Sequence, residues 1–118
     1  MNFQSEHVPN PFTLVATAIL AAGDPVTGAG AKATGATDFV GVAMSDAAVG
    51  EAVPIAGIGS VVNVQLDSGS IGVAAGDRVI YDTDGYEVAG AGNGIGFALD
   101  AGVASGYVRI VLQHASAA

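Results

Sequence analysis

Asp67-Ser68-Gly69, preceded by the apolar Val64 and Leu66, matches one catalytic signature, the Asp-Ser/Thr-Gly of aspartic proteases. In the small dimeric, retroviral-type enzymes each subunit supplies one such aspartate, and the two carboxylates share a proton and activate a water between them. Those subunits also carry a later apolar-apolar-Gly-Arg-Asn/Asp segment. The nearest counterpart, Ile95-Gly96-Phe97-Ala98, lacks the polar part. Asp, Ser and Gly are also ordinary turn formers, so the sequence favours a polar turn leaving a strand at Leu66. The protease using Asp67 stays as the enzymatic alternative.

The other reactive-looking groups have plainer readings. Asp82-Thr83-Asp84-Gly85 opens like a calcium loop, but a further Asp or Asn before the glycine is missing and Glu87 arrives too early to close it. Asp84-Gly85 is instead the composition of a tight hairpin turn. Gly28-Ala29-Gly30-Ala31-Lys32-Ala33 imitates a phosphate loop without Gly-Lys-Ser/Thr, and Gly35 discourages the helix such a loop must open. His7 and His114 lie in the terminal segments without a second ligand at metal-binding spacing, so they read as solvated. No Gly-x-Ser-x-Gly elbow occurs, and the chain has no cysteine for thiol catalysis, thiolate sites or disulfides. The expectation is no catalytic residue, no metal and no cofactor.

What must carry these groups is small. A chain of 118 residues is one domain, large enough to fold without metal or disulfide support. Its formal net charge is −8, with Lys32, Arg78 and Arg109 as the three basic side chains, too few to neutralise a run of phosphates. Nucleic acid is therefore a poor partner. Apolar residues make up 51% but aromatics only 6%, and 41 of the 118 residues are alanine or glycine. Glycines spread this evenly interrupt helical windows at about 1 kcal/mol each. Valines and isoleucines fall in short runs between them, the punctuation of strands. The fold class expected is all-β. No stretch approaches the 18 or so apolar residues of a membrane span.

Leu14 to Ala22 followed by Gly23 could be misread as a secretory segment, but its approach carries Glu6, Pro9 and Pro11 and no Lys or Arg. Moreover Ala21-Ala22-Gly23-Asp24-Pro25-Val26 recurs 53 residues later as Ala74-Ala75-Gly76-Asp77-Arg78-Val79. Gly41-Val42-Ala43-Met44 is echoed by Gly96-Phe97-Ala98-Leu99, and Val53-Pro54-Ile55 by Val108-Arg109-Ile110, both 55 residues on. Residues 21 to 56 and 74 to 110 thus share a plan: a Gly-Asp turn capped by its aspartate and leading into a strand, a Gly-x-Ala strand, a small-residue turn and a Val-x-Ile strand. Two units are too few for a solenoid. A compact sandwich or barrel of about eight short strands built from two related halves fits better, each half covering the other's apolar face. The strands are placed at Thr13 to Ile19, Phe39 to Met44, Ala52 to Ile58, Ser60 to Leu66, Arg78 to Asp82, Tyr86 to Val88, Ile95 to Leu99 and Tyr107 to Gln113. Residues 1 to 11 read as an extended arm before a domain at 12 to 113, and 114 to 118 as a tail.

The order of these segments resembles the capsid cement or decoration proteins of tailed bacteriophages, a small Ala/Gly-rich all-β family. The resemblance rests on Ala21 to Val26, Phe39 to Ile55, Gly57 to Leu66, Ala74 to Asp82 and Asn93 to Leu112, spanning most of residues 13 to 113. It implies a structural virion protein made in the host cytoplasm, bound to the major capsid protein on the outer surface of the capsid as a homotrimer at local three-fold axes, with no nucleic acid and no membrane. The loop at 28 to 37 is longer than is usual in that family, and the arm is more polar. The arm is nevertheless the expected contact element for capsid or neighbouring subunit, with Phe3, Val8 and Phe12 as apolar anchors and Pro9 and Pro11 stiffening the path between them. The competing non-enzymatic reading is a glycan-binding adhesive β-module, for which Tyr81 and Tyr86, flanking the hairpin, would form a small exposed pair.

Overall fold

The computed structural model describes residues 4–7 by their backbone, and residues 11–33, 38–82, 85–89 and 92–115 in full. The strands are β1 (Gln4–His7), β2 (Pro11–Val15), β3 (Pro25–Thr27), β4 (Phe39–Ala43), β5 (Ala52–Gly57), β6 (Val61–Gln65), β7 (Arg78–Tyr81), β8 (Tyr86–Val88), β9 (Gly94–Ala98) and β10 (Tyr107–Ala115). They form two antiparallel sheets, a six-stranded one in the order β1-β6-β10-β9-β7-β8 and a four-stranded one in the order β2-β5-β4-β3. The fold is all-β, a sandwich and not a closed barrel.

Period-two alternation places the strands where the apolar residues lie. In β6, Val62 and Val64 are buried while Asn63 and Gln65 turn outward, and in β10 Val108, Ile110 and Leu112 are buried with Arg109 between them. Three placements differ from expectation. β2 begins at Pro11 and ends at Val15, so Ile19 lies in a loop. Part of the segment read as an arm is β1, antiparallel to β6 with Gln4 opposite Asn63. β10 extends to Ala115, opposite Gly94, which takes His114 out of the tail.

The two halves repeat their pairing residue for residue. Pro25 faces Val42 and Val26 faces Gly41, as Arg78 faces Phe97 and Val79 faces Gly96. Val42 faces Ala56 and Ala43 faces Ile55, as Phe97 faces Val111 and Ala98 faces Ile110. Thr13 faces Pro54 as Asn63 faces Arg109. The order β2-β5-β4-β3 therefore returns as β6-β10-β9-β7, with β1 and β8 added at its rims. The turns repeat too: Asp24 Oδ2 accepts the Ala21 N–H and Asp77 Oδ2 the Ala74 N–H, each at 2.9 Å. The middle strand of each half needs glycine at one place, because a Cβ on Gly41 would collide with the Ala56 carbonyl oxygen and one on Gly96 with that of Val111.

One apolar cluster joins the sheets, with Phe39, Val42 and Ala56 of the smaller packed among Val62, Val64, Ile95 and Leu112 of the larger. The second lies on the other face of the four-stranded sheet, where Val26, Ala43, Val53 and Ile55 are covered by Ala16, Leu20 and Ala47. β4 is consequently buried on both faces, and each branched side chain so enclosed contributes about 1.5–3 kcal/mol.

Candidate functional site

The densest polar arrangement is a junction between the halves. Gly23 and Asp24 stand in the first Gly-Asp turn, Lys32 follows β3 and bridges back to Val26, and Tyr81 and Tyr86 face each other across the β7–β8 hairpin. Lys32 Nζ donates to the Tyr81 hydroxyl at 2.8 Å, lies 4.3 Å from its ring centroid and 3.8 Å from Asp24 Oδ1. The Tyr81 hydroxyl donates to Asp24 Oδ1 at 3.4 Å. Behind them the Tyr86 ring meets Tyr81 edge-on, 5.1 Å between centroids, and its hydroxyl donates to the Gly23 carbonyl at 2.6 Å. Asp24 and Tyr86 are buried.

The electrostatics follow from this enclosure. Burial pushes the Tyr86 hydroxyl well above its ordinary value, and the nearby Asp24 carboxylate pushes the same way. Burial also raises Tyr81, against the opposing pull of Lys32. For Lys32 burial works to lower the pKa, but the Tyr81 hydrogen bond and the Asp24 charge outweigh it and the net shift is upward. These groups hold their protons firmly around neutrality, so the arrangement suits a clasp between halves and not proton transfer. It also corrects the exposed-pair expectation: Tyr86 is fully buried and offers no platform to a sugar.

The other candidates fall into local structure. Asp67 is buried in the turn after β6, where its Oδ1 accepts the Gly69 N–H at 2.6 Å and its backbone carbonyl accepts the Ser70 N–H at 3.0 Å. That is an Asx turn, the polar turn its composition suggests. Asp82 N–H donates to the Gly85 carbonyl at 2.7 Å, closing the β7–β8 hairpin; Thr83 and Asp84 lie outside the described residues. Glu87 on β8 is raised by burial and by the charges of Asp82 and Asp67. Among the described residues no group of three or more His, Asp or Glu side chains is placed to hold a metal ion, and no helix is long and apolar enough to cross a membrane. The described part of the glycine-rich loop, residues 28–33, packs back on β2, with Gly30 against the Val15 carbonyl and the Thr17 N–H donating to the Gly30 carbonyl at 3.0 Å. The His114 ring meets that of Phe39 at a tilt of 50°, with centroids 4.6 Å apart. Arg109 grips Asp100 with two side-chain bonds of 2.8 Å, which hold the carboxyl down to about 2.

Of the arm residues, Pro11 and Phe12 open β2 at the edge of the four-stranded sheet, where Phe12 is 38% exposed; Phe3, Val8 and Pro9 lie outside the described residues. The Asp24–Lys32–Tyr81–Tyr86 junction was not visible in the sequence. Its members come from both halves, and the one signal available was that Lys32 and Tyr86 occupy the segments in which the halves diverge.

The family model for the phage cement protein matches residues 4–113, nearly the whole chain. The chain belongs to the phage cement protein family. Its role is accordingly structural and associated with the phage capsid. Comparison with curated proteins finds no match.

Proposed function

We propose that this cement protein binds the outer surface of an assembled phage head, with the major capsid protein as partner, and stabilises the shell. The carrying observation is the family match along residues 4–113. A ligand that binds the lattice and not its free subunits stabilises it by RT ln(1 + [L]/Kd), about 2.7 kcal/mol per site at a hundredfold excess over Kd, with many sites acting in parallel. An interface of ordinary size buries on the order of 1,600 Å², which for so small a domain means much of one side. The acidic charge suits a position outside the shell, away from packaged DNA. Homotrimers at local three-fold axes, and synthesis in the host cytoplasm, belong to the same reading.

The N-terminal segment is one proposed contact, through Phe3, Val8, Pro9, Pro11 and Phe12. Phe12 supports it as a half-exposed aromatic on an edge strand. The experiment is co-sedimentation of purified protein with heads assembled without it, followed by thermal disruption of the decorated heads. Saturable binding with a raised disruption temperature is expected; protein left in the supernatant overturns the reading. Within that assay Phe3→Ser with Phe12→Ser tests the N-terminal contact, and unchanged affinity removes it.

A further inference from the structure

Among the described residues the four most exposed large apolar side chains are Ile71 (91%), Ile19 (80%), Val103 (73%) and Val49 (64%). Each half carries two of them on corresponding loops, at positions one residue out of step under the repeat. A backbone bridge from Leu20 to Ala47 ties the loop carrying Ile19 to the one carrying Val49, and a bridge from Val73 to Gly102 does the same for Ile71 and Val103. Exposed branched aliphatics gain nothing for the fold, yet both halves present them on bridged loops.

The first half adds two acids that the second lacks. Ile19, Ala47 and Ala48 line a shallow open groove whose rim carries Asp46 and Glu51. Each acid is held in place by one backbone bond, Asp46 Oδ1 accepting the Ala22 N–H at 2.8 Å and Glu51 Oε1 the Ala48 N–H at 2.6 Å. The corresponding positions of the second half are Ala101 and Gly106. An apolar groove with fixed negative charges on its rim fits an apolar side chain flanked by Lys or Arg. A second copy of this chain is a poor donor of that chemistry: it carries −8 and three basic side chains, of which Lys32 is engaged by Asp24 and Tyr81 and Arg109 by Asp100.

We infer that the groove lined by Ile19, Ala47 and Ala48, together with the exposed Val49 that follows on the same loop, is a docking site for an apolar, basic-flanked segment of a different protein. Resting on the cement reading, this assigns that segment to the shell protein, and it gives the decoration a second point of attachment besides its N-terminal segment. The apolar pair supplies contact area, and Asp46 with Glu51 supplies orientation and a salt-dependent share of the affinity.

The test uses the full chain and heads assembled without it, with co-sedimentation at low and at high salt. Three proteins are compared: wild type, Ile19→Ser with Val49→Ser, and Asp46→Asn with Glu51→Gln. The amide variants keep an acceptor for the Ala22 and Ala48 N–H groups, so the loops retain their bonds, and thermal melting verifies that all three are folded. A loss of at least tenfold in affinity is expected for the serine pair. For the amide pair a several-fold loss at low salt that vanishes at high salt is expected. Folded variants that bind like wild type at both salts overturn the groove and leave the cement reading intact. Wild type that fails to bind heads overturns both. A serine pair that binds heads normally but sediments as a smaller oligomer assigns the patch to self-association and also overturns the proposal.

Discussion

Replacing Tyr86 with Phe isolates one bond of the clasp. The ring, its burial and its edge-on contact with Tyr81 are kept, while the 2.6 Å donation to the Gly23 carbonyl is lost. Gly23 is itself buried, so its oxygen loses that donor where water is excluded, a situation that costs about 1–3 kcal/mol. For a chain of this length the loss corresponds to a fall in Tm of about 4 °C per kcal/mol. A second signature comes from pH. The hydroxyl is raised well above its ordinary value of 10.0 in the folded protein, so its contribution is fully present below pH 10 and is lost as pH rises through the folded value. Above pH 10 unfolding gains an ionised phenol that folding must reprotonate. Wild type should therefore lose stability on the alkaline side faster than Tyr86→Phe, and the gap between them should narrow. Urea denaturation at pH 8 and at pH 11, read by far-ultraviolet circular dichroism, measures both quantities. Equal stability at pH 8, or a gap that widens toward pH 11, refutes the reasoning.

Ser60 is buried and its Oγ has no hydrogen-bond partner, so Ser60→Ala should leave the stability unchanged or raise it by up to about 1 kcal/mol, read in calorimetry as an unchanged or higher Tm. The Asp100 carboxyl should titrate near 2 by NMR and return toward its ordinary 3.8 in Arg109→Gln. The contribution of that pair to stability is present above the unfolded value and is lost as pH falls through about 2. Gly41→Ala and Gly96→Ala should each destabilise by about 2 kcal/mol or more in urea titrations, since each new methyl meets a backbone carbonyl across a strand pair.

The repeat made most of the architecture legible. Because Gly41-Val42-Ala43 and Gly96-Phe97-Ala98 are equivalent and each lies between a Gly-Asp turn and a Val-x-Ile strand, the sequence contained the shared order of strands in the halves, while which strands pair and in what register emerges only in the fold. β1 escaped because Gln4 to His7 has no apolar alternation; its backbone pairs with β6 whatever its side chains. Ile19 looked like the end of a strand because Thr13 to Ile19 alternates well enough, but the chain leaves the sheet after Val15. The junction was hidden for another reason. Burial of Tyr86 depends on where the hairpin lands against the first Gly-Asp turn, 63 residues away, and no local pattern encodes that meeting. The groove was equally invisible, since aliphatic residues read as core until the fold turns them outward.

Where β3 passes to β4 and β7 passes to β9 the halves differ in chain length, and the second half spends its extra residues there on β8. Strand partners on either side are unaffected by that expansion. This crossing is thus a splice point in the design. A guest peptide stitched between β3 and β4 would enlarge the molecule without asking any pair of strands to slide, and on the outer surface proposed above, arrayed copies would display the guest at every position the protein occupies.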